Sequence, residues 1–189
     1  MRKLGRLRMP SGRLVAVDPA LISFEREPLA VGVPPGSYPV VLAVAHWEPP
    51  PMPWAGSGVV VAARLLVREE PVASWELALR PGQDPRVLGD DEFYGFGVDA
   101  GMACLVDADA AHHLAAIADD DDRYHDTYVN ADWDQSIELT DPASGANAFA
   151  FRSGLGDGAY PVWLGRTSAG EVACFVADML VCHGGTVLP

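Results

Sequence analysis

Glycine and proline punctuate this chain: 19 Gly and 16 Pro stand among its 189 residues. Glycine opens backbone regions that other residues avoid, and proline removes a ladder donor and fixes φ. Between the breaks lie short runs rich in β-branched and apolar residues. "RLVAVDP" (13–19), "YPVVLAVAHW" (38–47), "GVVVAARLLV" (58–67) and "GMACLVD" (101–107) read as strands. So do "NAFAFR" (147–152), "PVWLG" (161–165) and "EVACFVADMLV" (171–181). "SWELALR" (74–80) alternates, with Trp75, Leu77 and Leu79 on one side. "EPPPMPW" (48–54) holds four prolines in seven residues and reads as a loop. "GRTSAGE" (165–171) reads as a hairpin turn.

One segment has a helical signature. "DADAAHHLAAIA" (107–118) is rich in alanine and free of breakers. Asp107 is its expected N-cap, and Asp109 suits the first turn. The aspartates that follow from Asp119 oppose the helix dipole, so the helix should stop near Ala118. The fold class expected is mostly β (α+β), an antiparallel sandwich or partly open barrel with one short helix near 107–118. No βαβ alternation supports a doubly wound nucleotide fold. Residues 13–189 form one globular domain, behind a basic leader (1–12) that is flexible or lies on an edge. Two segments echo each other: "GSYPVVL" (36–42) and "GAYPVWL" (158–164) share Gly-x-Tyr-Pro-Val-x-Leu. The echo is either a duplicated turn-then-strand unit or two uses of one turn chemistry.

Charge narrows the function classes. Twenty-six acidic residues face 13 basic ones, a formal net charge of -13. A nucleic-acid binder needs a basic face, so no nucleic-acid partner is expected. The run Asp119 to Asp122 is a solvated loop, or a contact surface for a basic protein partner. Trp47, Trp54 and Trp133 sit in loop-like segments and either rim a ligand pocket or fold back onto a sheet. The apolar runs are too short to span a bilayer, so no membrane partner is expected. Cys104, Cys174 and Cys182 are odd in number and widely spaced, which fits a reduced, cytoplasmic setting.

"SGLGDGAYP" (153–161) matches no phosphate loop, dinucleotide fingerprint, calcium loop or nucleophile elbow. What remains is a glycine-rich turn. It offers Ser153, Gly156, Gly158 and Tyr160 to a small-molecule ligand, and Asp157 as an acid. The candidate acids are Asp18, Glu76, Asp99, Asp107 and Asp157. Of these, Glu76, Asp99 and Asp157 are the expected catalytic set, as general acid and base or as oxygen ligands for a divalent cation such as Mg²⁺ or Ca²⁺. The alternative is that Asp18 and Asp99 make turn or cap hydrogen bonds and that Asp107 only caps its helix. Of the histidines, His46, His112, His113, His125 and His183, the adjacent pair should diverge on a helix, and no His-x-x-x-His occurs. A dedicated zinc site is not expected. A cysteine–histidine pair would have to join Cys104 or Cys174 to His46 or His183 across distant segments.

"VDP" (17–19), "VPPGSYPVVL" (33–42), "WELAL" (75–79), "GFGVDAGMACLVD" (95–107) and "SGLGDGAYPVWLGRTSAGEVACFVADM" (153–179) occur in that order. In this the chain resembles a bacterial family called domain of unknown function 4241, roughly from Arg13 to Met179. The likeness is most specific at "GFGVDAG" (95–101) and "SGLGDGAYP" (153–161). It implies a shape of sequence and no reaction. Two readings follow. One is a small-molecule-binding protein or a carboxylate- or metal-assisted enzyme, with its site between the 95–101 and 153–161 turns. The other is an acidic, non-catalytic interaction module such as an immunity or inhibitor protein.

Overall fold

A computed structural model of the chain describes residues 1–24, 27–46, 58–118, 136–154 and 156–182. The larger sheet runs in the order β1 (Arg2–Met9), β3 (Gly36–His46), β4 (Gly58–Leu66), β11 (Val172–Asp178), β10 (Gly158–Arg166), β5 (Ser74–Leu77). A short strand β6 (Gly95–Val98) pairs with the first part of β10. The smaller sheet is β2 (Leu14–Val17), β7 (Met102–Asp107), β9 (Asn147–Arg152), β8 (Ser136–Thr140). The described ladders are antiparallel and neither sheet closes into a barrel. The described residues are mostly β with one short α-helix, α1 (Ala111–Ala118), as the punctuation predicts.

Side-chain alternation stacks three layers. Leu14 and Ala16 of β2, Ala103 and Leu105 of β7, and Phe149 and Phe151 of β9 face the larger sheet, where they meet Leu42, Leu65, Leu164 and Phe175. The intervening residues point the other way. Val15, Val17, Met102, Cys104, Val106, Ala148 and Ala150 pack with Ile22, Ala111 and Leu114. Strands β2, β7 and β9 are therefore buried at every position. Side-chain size follows the layers: the phenylalanines of β9 fill the space between sheets, and its alanines let α1 lie close.

The basic segment expected as a leader, flexible or lying on an edge, takes an edge of the larger sheet and belongs to the fold. Arg2–Met9 is the edge strand β1, paired to β3, with Leu7 and Met9 fully buried. In "RLRM" the apolar residues alternate with Arg6 and Arg8, so one face enters the core and the guanidinium groups stay outside. Asn147 ties this edge to the second sheet. Its Oδ1 accepts from Arg8 N at 2.9 Å, and its Nδ2 donates to Arg6 O at 3.0 Å. The expected boundary between residues 12 and 13 therefore does not divide leader from domain. Helix α1 also begins later than expected. Asp107 does not cap it, because its buried carboxylate accepts instead from Ser11 N, Ser11 Oγ and Asp109 N.

The sequence echo is a repeated structural device. Each copy opens a strand, β3 or β10. In each, the tyrosine ring folds back over the glycine two residues earlier. A β-carbon on Gly36 would sit 3.3 Å from the Tyr38 ring, and one on Gly158 would sit 3.4 Å from the Tyr160 ring. In each, the hydroxyl donates to the carbonyl four residues back, Tyr38 to Pro34 and Tyr160 to Gly156. The Val and Leu that close both copies, Val40 with Leu42 and Val162 with Leu164, enter one core. Trp75, 54% exposed, has a local explanation too. It opposes Gly165 across the ladder, and a β-carbon there would lie 3.0 Å from its ring, so the indole covers backbone that a side chain would otherwise cover.

Candidate functional site

The two turns singled out by the sequence meet at one end of β10. Strand β6 pairs with β10 in the register Gly95–Pro161, Phe96–Tyr160, Gly97–Ala159, Val98–Gly158. Continued by one residue, that register sets Asp99 opposite Asp157. Both residues are exposed, and among the described residues neither carboxylate accepts a hydrogen bond. The two turns therefore each carry an exposed carboxylate just beyond the β6–β10 ladder.

The backbone beneath them is held. Asp18, fully buried at the end of β2, accepts from Asp99 N at 2.9 Å and Ala100 N at 2.8 Å through Oδ2. Its Oδ1 accepts from Ala20 N at 2.8 Å. This candidate acid is thus a clamp on the 99–100 turn, the capping role weighed as the alternative above. Gly101 O accepts from Ser153 N at 3.2 Å, which joins the first turn to the second.

Ser153 and Tyr160 occupy the inside of the second turn. Ser153 is fully buried and its Oγ donates to Gly156 O at 2.8 Å. The Tyr160 hydroxyl lies 2.9 Å from Ser153 O and 2.6 Å from Gly156 O, and its single proton serves both carbonyls. Burial pushes the Tyr160 hydroxyl above its ordinary value; the hydrogen bond to Ser153 opposes the rise, and the charge of Asp157 adds to it. The group stays a donor at neutral pH. Gly154 needs its missing side chain: φ is +58°, and a β-carbon would lie 2.9 Å from Met179 O. Gly156, at φ +118°, has open space where a side chain would stand, and Gly158 is covered by the Tyr160 ring.

Glu76 does not join this site. It opposes Leu164 on β10, seven strand positions from Asp157 and so roughly 20 Å away at about 3.3 Å per residue. Its Oε1 accepts from Arg166 Nε at 2.8 Å. The alternation that puts it on the polar side of β5 carries no information about which end of β10 it meets. No group of three or more metal-ligating side chains occurs among the described residues.

The thiols are poorly placed as nucleophiles. Burial pushes the Cys104 thiol far up, and the Asp18 charge adds to the rise. Burial also raises the Cys174 thiol, opposed by Arg64. Of their notional partners, His46 is exposed at the end of β3, and His183 lies outside the described residues. His125, Trp47, Trp54, Trp133 and the aspartate run also lie outside them. No helix among the described residues is long and apolar enough to cross a membrane.

Fold and site together define a two-sheet antiparallel protein, helix-covered on one side, with two hydrogen-bonded acidic turns at the end of its larger sheet. The chain belongs to the DUF4241 family, described as a protein of unknown function, whose model matches residues 7–177. No curated protein and no solved structure matches it.

Proposed function

We propose that this chain is a non-covalent binding protein whose contact edge is the paired turn, and that it takes a positively charged group. What supports the reading is that Asp99 and Asp157, just beyond the β6–β10 ladder, are exposed and accept no hydrogen bond among the described residues, while Asp18 and Tyr160 hold the turn backbones. Preorganised carboxylates attract cations without the cost of ordering a loop. The cation is a small-molecule ammonium, a hydrated divalent ion such as Mg²⁺ or Ca²⁺, or a basic side chain of a protein partner. Binding is favoured over carboxylate-assisted catalysis because the third acid of that scheme, Glu76, is engaged by Arg166 elsewhere. We place the protein in the cytoplasm, a setting that suits its free cysteines, and expect no nucleic-acid partner.

The test follows backbone amide NMR signals of Asp99, Ala100, Asp157 and Gly158 at low salt. Mg²⁺, Ca²⁺, spermidine and an oligo-arginine peptide are titrated separately. Saturable shifts at both turns, absent in the Asp99→Asn/Asp157→Asn variant, support the proposal and identify the class of cation. If none of the four moves these amides, the paired turn is not a cation-binding edge.

A further inference from the structure

A second site lies on the other side of the molecule, where an acidic chain gathers cationic groups around a concave surface. A cleft of about 380 Å³ opens between β1, the start of α1 and the turn joining β8 to β9. Its apolar lining is Pro10, exposed, and Ala146, half-buried, with Met9 and Ala110 buried behind them. Arg8, His112, His113, Ser144 and one carboxylate, Asp109, stand around it. The two imidazoles do not diverge as adjacent helical residues are expected to. Their ring centroids lie 3.8 Å apart, and both rings line the same cleft.

The cationic side of this cleft is built. Arg8 Nη1 donates to Gly145 O. Gly145 takes φ +72°, and a β-carbon there would lie 2.8 Å from the Arg8 guanidinium, so the glycine makes room for it. The carboxylates nearby are already engaged. Asp109 pairs with Arg13 at 2.9 Å. Asp141 accepts from Ala143 N, Ser144 N and Ser144 Oγ, and stands 3.9 Å from His113 Nδ1. Those hydrogen bonds, with a smaller effect from His113, hold the Asp141 carboxyl below the ordinary carboxylate value. Glu138 on β8 accepts from Asn147 at 2.8 Å. Arg8 keeps further donors, and among the described residues His112 forms no hydrogen bond.

We propose that this cleft binds a small organic anion, with a phosphate or carboxylate head at Arg8, His112 and His113 and an apolar body against Pro10 and Ala146. The volume suits a small ligand, since such pockets start at about 300 Å³. A guanidinium grips either head with charge-assisted hydrogen bonds, and imidazole N–H groups add further donors. Arg13, Asp109, Asp141 and Glu138 have partners of their own.

Benzoate and phenyl phosphate are the probes, titrated while the amides of His112, His113, Ser144 and Gly145 are followed by NMR. Tighter phenyl phosphate assigns the head to phosphate; tighter benzoate assigns it to carboxylate. Arg8→Gln should weaken either probe about tenfold. His112→Gln/His113→Gln should weaken benzoate binding about fivefold. The double variant changes only exposed positions, so it keeps the test decisive if Arg8→Gln unfolds the edge strand. No saturable shift by about 10 mM of either probe overturns the proposal. So does benzoate binding that keeps its affinity in the double variant.

Discussion

Asp18 and Asp157 lie on either side of Asp99 and have opposite environments. Asp18 is fully buried and accepts three backbone hydrogen bonds. Asp157 is exposed and accepts none among the described residues. A carboxylate taken out of water is costly unless hydrogen bonds replace its hydration, and those at Asp18 come from three N–H groups converging on it. Asp107 repeats the arrangement beside Ser11. The lesson is that an aspartate beside a turn becomes structural or available according to the donors that neighbouring segments bring. Residue type and local sequence look alike in both cases.

Asp18→Ala should break the comparison hardest. It strands the N–H groups of Asp99 and Ala100 and should cost about 3 kcal/mol in urea unfolding. A loss below about 1 kcal/mol would mean that the clamp is not needed. Gly154→Ala comes next, at about 2 kcal/mol, because it combines positive φ with a contact on Met179 O. The expected lower urea midpoint with an unchanged m-value distinguishes lost stability from a changed denatured state.

The buried thiol of Cys104 sharpens the same contrast through pH. Its folded pKa is raised above the ordinary 9.0, so its contribution is fully present below about pH 9 and is lost as pH rises toward the folded value. Stability should fall by up to about 1.4 kcal/mol per pH unit on that limb. Cys104→Ala should fall less steeply in urea titrations, and an equal slope would assign the limb to other groups. Tyr160→Phe removes one shared hydrogen bond and should cost about 1 kcal/mol. Asp157→Asn should change stability by less than about 0.5 kcal/mol while weakening any cation response at the turns. A large loss of stability in calorimetry would make Asp157 a second clamp.

Much of the fold was legible because strand patterns are local. Gly/Pro breaks and apolar runs locate β2, β3, β4, β7, β9, β10 and β11, and the tyrosine echo marks two strands that share a core. Strand β1 was hidden because its basic residues mask the alternation of Leu7 and Met9. Strand β6, four residues with two glycines, exists through its pairing with β10. At the site, Asp99 and Asp157 were legible as polar residues of glycine-rich turns. The inward placement of Ser153 and Tyr160 was not, since it depends on which carbonyls the folded turn brings within reach. Arg8 was read as part of a leader, so its meeting with His112 and His113 had no local signal.

By itself the sequence determined where the chain turns, which face of each strand is apolar, and that a mostly antiparallel fold would result. These are short-range properties, set by backbone sterics and side-chain periodicity. The tertiary structure decided which charges are spent and which remain free. Asp18 meets its donor 81 positions along the chain, and Ser11 meets Asp107 across 96. Hydrogen bonding and desolvation act over a few ångströms, so they are settled only when the sheets bring such distant segments together.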